Sequence, residues 1–222
     1  MTALTMAVAT VSAPSYAELS GNVSVTNNYI WRGLTQSINE SAVQGGLDYA
    51  SESGFYAGTW VSNVAYDSDD AYSCEHDMYF GFGGEAGNVA YDIGYLYYNY
   101  DSQAGFDFGE VYGSLGFGNF SVGLSVLANA EPDEAPGQDF GFGKATYLSA
   151  DYVIPLESGT EIGFHIGRHD GDFAEVVRAR IADLNARIDA LNIDIDLLKS
   201  RSQLNYFFSD GQDVTHRIGD NS

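Results

Sequence analysis

At 222 residues the chain has room for one domain, or for one domain and an appendage. Nine Lys+Arg against 31 Asp+Glu give a formal net charge of −22, which argues against nucleic acid or an anionic membrane surface as a partner. With 16 Tyr, 13 Phe, 26 Gly and only 4 Pro, the chain is too aromatic for an acidic disordered segment.

No run of about 20 apolar residues is present, so no helix is expected to span a bilayer. A β-barrel needs no such run, because its strands carry short alternating signals. Residues 1–17, MTALTMAVATVSAPSYA, read as a secretory signal without the usual basic start, with cleavage expected between Ala17 and Glu18. The single Cys74 fits export without a disulfide framework.

Strand patterns then follow one another: Val23–Trp31, Ala42–Tyr49, Phe55–Tyr66, His76–Glu85, Val89–Tyr100, Asp107–Phe117, Phe120–Leu127, Lys144–Ile154 and Thr160–Arg168. Short breaks such as Gly87-Asn88 and Gly118-Asn119 alternate with longer acidic ones such as Asn129–Asp139. One face of each run is apolar: Phe120, Val122, Leu124 and Val126, or Ile162, Phe164 and Ile166. The other is small or acidic, with tyrosines (Tyr97, Tyr98, Tyr100) gathered near the ends. An antiparallel up-and-down transmembrane β-barrel-like meander explains this all-β pattern over 18–172; a soluble β-sandwich is the competing arrangement.

The blocks YIWRGLTQS (29–37), AVQGGLDYASESGFYAGTW (42–60) and VSN (61–63) resemble the opening of the TorF family, porin-type outer-membrane proteins of proteobacteria whose function is poorly defined. The resemblance runs from about Glu18 to Asp172. It implies a β-barrel in the bacterial outer membrane, with lipid around it and small solutes or ions as its traffic.

Between Glu18 and Asp172 the only cations are Arg32, Lys144 and Arg168, against 23 acids. Strand parity puts Arg32 on the polar face of the first strand, with Asp48, Asp77, Glu85, Asp92, Glu110, Asp151 and Glu161 on the polar faces of others. Two roles fit. Arg32 pins a constriction in a lumen that favours cations, for which Arg32, Asp48, Asp77, Asp92, Glu110 and Glu161 are the selectivity candidates. Or it neutralises acids inside a narrow, filled barrel.

Other motifs carry less. In Cys74-Glu75-His76-Asp77 neighbouring side chains point to opposite faces, and His165 and His169 stand about 13 Å apart on a strand, so no metal site is expected. Asp67, Asp69 and Asp70 read as an acidic turn. GFGGEAG (81–87) lacks the spacing of a nucleotide fingerprint, and its glycines suit close strand packing. No GxSxG or defensible acid/base pair exists, so neither enzymatic activity nor a cofactor is expected.

After Phe173 the text changes. Ala174, Ile181, Ile188 and Ile195 alternate with Val177, Leu184, Leu191 and Leu198 in a heptad, predicting an amphipathic helix over 173–200 outside the barrel wall, able to self-associate, and then a tail over 201–222. The sequence therefore leads to a porin passing small hydrophilic solutes, with cations preferred. Two alternatives stand beside it: a non-conducting structural or adhesion protein of the outer membrane, and a soluble exported β-domain with a dimerising helix.

Overall fold

The computed structural model describes residues 17–66, 73–156 and 161–177, together with the backbone of two short pieces at 207–208 and 212–214. The alternating residues form an antiparallel meander. Its nine main strands are β1 (Glu18–Thr26), β4 (Ala42–Ala50), β5 (Phe55–Asn63), β6 (Cys74–Ala86), β7 (Val89–Tyr100), β8 (Phe108–Phe117), β9 (Phe120–Ala130), β10 (Thr146–Pro155) and β11 (Glu161–Asp170). Each pairs with its predecessor in that order, and β13 (Gln212–Val214) and β12 (Phe207–Phe208) follow beside β11. Among the described residues β1 pairs only with β4, so the sheet is curled but not closed into a barrel.

The first strand departs from expectation. It covers 18–26 rather than 23–31, and the chain then leaves the sheet in a turn where Thr26 Oγ1 donates to the Asn28 carbonyl at 2.9 Å. Val23 and Val25 face outward, whereas Tyr29 and Trp31 are buried inside, so one parity does not run through 23–31. Instead β2 (Ile30–Trp31) and β3 (Leu34–Thr35) form a separate hairpin. Its two-residue turn, Arg32-Gly33, has positive φ at both positions (47° and 84°), the geometry that suits a tight hairpin and that glycine adopts freely.

The two faces of the sheet differ in kind. Leu47, Phe80, Phe82, Ile93, Leu124, Leu148 and Phe164 are all exposed on its outer side. Phe120, Leu124, Ile162, Phe164 and Ile166 lie there as the alternation predicts. The inner side buries Gln44, Glu75, Asp77, Tyr98, Phe108, Glu110 and Tyr112. The terminal tyrosines do not form one girdle: Tyr98 and Tyr100 are buried inside, and Tyr97, one position out of phase, is not.

Turns at one end of the sheet are short, at 51–54, 87–88 and 118–119. Those at the other are long, at 101–107 and 131–145. The long end is closed by aromatics: Phe173 stacks on Phe106 and packs against Phe108 and Phe140, with ring centroids 5.0–5.5 Å apart. Phe173 belongs to a helical turn at 172–177 whose Phe173, Ala174 and Val177 are all buried. The start of the predicted helix is thus spent on the core and does not lie outside the wall. The rest of the predicted helix, and the tail apart from 207–208 and 212–214, fall outside the described residues, as do Asp67, Asp69 and Asp70.

Candidate functional site

The inner face is organised around the 29–37 segment, which lies across it. Tyr29 packs edge-on against Trp60 of β5 (5.3 Å) and its hydroxyl donates to Glu75 Oε1 of β6 at 2.9 Å. Trp31 meets Tyr98 of β7, Phe108 of β8 and His169 of β11 within 6.2 Å. A single hairpin can touch strands from β5 to β11 only if the sheet curls around it. Backbone bonds hold the segment: Gln36 N donates to the Tyr29 carbonyl (2.7 Å) and Ala65 N to the Gln36 carbonyl (2.9 Å).

Arg32 sits at the tip of this insertion, on a turn and not on the first strand. Its two terminal nitrogens donate to Glu110 Oε1 and Oε2 at 2.8 and 2.6 Å, a bidentate pair with both side chains buried. The guanidinium also lies over the rings of Trp31 (4.4 Å) and Tyr147 (4.2 Å). Of the two roles open to Arg32, neutralising a buried acid is the one this geometry displays at Glu110.

The other candidates share the inner face but not the guanidinium. Asp48 accepts from the Tyr79 hydroxyl, and Asp92 accepts from the Tyr56 hydroxyl at 2.6 Å. Asp151 bonds His165 Nδ1, whose Nε2 meets the Tyr147 hydroxyl, both at 2.7 Å. Asp77 is buried within the same wall. Glu161 and Glu85 are exposed near the short-turn end and join none of these groups. Within the interior, phenols do for the acids what lysines would do in a less acidic protein: Tyr29, Tyr56 and Tyr79 each donate to a carboxylate.

Reading charges alone misses these tyrosines. The signal that finds them is glycine on the neighbouring strand. Tyr112 pairs with Gly94, Tyr56 with Gly81 and Tyr79 with Gly58. In each case the phenol end of the ring occupies the space where a Cβ would stand. The glycines let the rings lie flat along the wall, and Tyr56 and Tyr112 meet hydroxyl to hydroxyl.

Little space remains beside the hairpin. A cavity of about 20 Å³, roughly one water's worth, lies between Trp31, Gln36, Tyr66, Tyr100, Phe106, Phe108 and Val177. At the long-loop end Asp101 accepts from the amides of Ser73 (2.6 Å) and Cys74 (2.9 Å). The Ser73 amide foremost holds its carboxyl below the usual range. Asp139 is lowered in the same direction, chiefly by its hydrogen bond from Lys144.

No described helix is long and apolar enough to cross a membrane, which says nothing of strands. No curated protein and no solved structure matches the chain. A family model does match, over residues 10–186, and it spans both the meander and the inserted hairpin. Its description carries neither the TorF name nor a pore activity. On that match the chain belongs to the family described as "Bacterial protein of unknown function (Gcw_chp)".

Proposed function

We propose that this is an outer-membrane β-protein of the porin kind, close to the TorF family, whose outer face meets lipid and whose inner face meets small hydrophilic solutes, with cations preferred. The observation that carries the reading is the contrast of faces: large apolar side chains exposed outside, acids and phenols enclosed inside. In water such an outer face is a liability, whereas in a bilayer it is the solvent-matched surface.

The acids Asp48, Asp92 and Asp151 line the half of the inner face nearer the short turns, and the Arg32 hairpin narrows the other half. Carboxylates facing a narrow passage raise the local cation concentration, and Arg32 lowers it. A second reading, a membrane protein with no conductance and a structural or adhesive role, is favoured by one specific observation: the hairpin leaves only a water-sized gap beside Trp31.

Planar-bilayer recording of the folded protein under a KCl gradient decides between them. A reversal potential of the sign for cation preference is expected, and Arg32→Ala should strengthen it. An anion-selective pore overturns the proposal. A folded, membrane-inserted protein without conductance establishes the structural reading, and release into the soluble fraction by carbonate overturns both.

A further inference from the structure

Two of the buried acids on the inner face carry a carboxyl oxygen with no hydrogen-bond partner among the described residues. Glu75 and Asp77 stand two residues apart on β6, so both point to the interior, and they are only 1% and 2% exposed. Glu75 Oε1 is taken by the Tyr29 hydroxyl, with Tyr100 also hydrogen-bonded to this carboxylate. Glu75 Oε2 and Asp77 Oδ1 are fully buried without a partner among the described residues. A third orphan sits on the same wall. Gln44, in one cross-strand row with Ser62 and Glu75, buries its amide Nε2 without a partner. Only the small Ser62 separates it from Glu75 in that row, and the amide can be turned over to present its oxygen instead.

Buried polar atoms without partners are rare and costly, and two carboxylates side by side repel one another. Among the described residues no cationic side chain is placed to relieve them, and both terminal nitrogens of Arg32 are engaged by Glu110. Two carboxyl oxygens and a neutral amide oxygen together form a donor set suited to a hard cation of charge two. We propose that Glu75 and Asp77, with Gln44 and the phenol oxygens of Tyr29 and Tyr100 around them, bind one divalent hard cation of the calcium class in the interior. No three His, Cys, Asp or Glu side chains among the described residues converge on a metal. The site is therefore built of two carboxylates and neutral oxygens, a mixture that the flexible coordination of calcium accepts. His76 and Cys74, of the opposite parity, take no part.

The site rests on the reading of the inner face as cation-attracting, but its test needs no conductance. Full-length protein folded in detergent and stripped with EDTA is titrated with CaCl2, with NaCl at matched ionic strength as control. One Ca²⁺ per chain is expected by calorimetry, and the apparent melting temperature should rise by about 5 °C at saturation. Asp77→Asn should weaken binding at least tenfold, and Glu75→Gln with Asp77→Asn should abolish it. Asp92→Asn, which removes an acid that already has a donor, should leave it intact. No uptake, an equal response to NaCl, or binding that survives the double variant overturns the site. Because binding is read directly, a silent protein in the bilayer that binds calcium refutes the pore and not the site.

Discussion

A buried guanidinium with one carboxylate for a partner is costly to strand. Arg32 and Glu110 are both buried and joined by two charge-assisted bonds, so removing either leaves an uncompensated charge inside the sheet. Glu110→Gln and Arg32→Ala are each expected to cost about 3–5 kcal/mol of stability. Arg32→Met together with Glu110→Leu should recover most of that loss, because the pair as a whole gains little over apolar residues of similar volume. Urea unfolding of the four proteins in one detergent measures this, and strictly additive losses would show that the two side chains do not act as a pair. The same residue shows what parity can miss. Alternation puts Arg32 on the polar side of the first strand, whereas it reaches the interior from the tip of a hairpin. It arrives there through a positive-φ turn that alternation does not encode.

At the scale of the element, the outward face yields a sharp comparison. Leu124, near the middle of β9, is exposed on the outer side. Leu124→Arg should cost about 2–4 kcal/mol for folding into vesicles if it lies at the bilayer midplane. Phe142→Arg, at an exposed apolar residue of the 131–145 connection, should cost little. Equal costs would refute a lipid-facing β9. A second prediction concerns the long-loop end, where Asp101, just after β7, caps the Ser73 and Cys74 amides at the start of β6. Because its folded pKa is depressed, the contribution is complete above the unfolded value of about 3.9 and is lost as pH falls through the folded one. Asp101→Asn should therefore speed proteolysis between Asn63 and Cys74 at neutral pH. The variant and the parent should converge in acid, and an unchanged gap at low pH would exclude the cap as the cause.

For the whole molecule, most of the strand framework was legible because alternation over nine runs fixes both strands and faces at once. β5 to β9 begin within two residues of the positions read from the pattern. What escaped has a physical reason in each case. Tyr29 and Trp31 look like the end of a strand because they continue its chemistry, and only the Thr26 turn reverses the facing. Ala174 and Val177 satisfy a heptad, yet the stripe that would meet a partner helix serves equally to cap the aromatic end of the sheet. The lumen candidates share one face as alternation requires, but pairing among them depends on side-chain reach. Glu110 reaches Arg32, whereas Asp48 and Asp92 answer to tyrosines.

The flat tyrosines have a consequence for how the sheet finds its alignment. A slip of two residues between neighbouring strands preserves which side every residue faces, so the apolar and polar faces alone do not penalise it. The ring-over-glycine contacts do. Moved by two, Tyr112 would meet Asp92 or Leu96 in place of Gly94, and Tyr79 would meet Tyr56 or Trp60 in place of Gly58. Each ring then has a side chain where it needs a gap. These pairs act as a key cut for one alignment, rejecting the misfolded pairings that a meander of similar strands most readily offers.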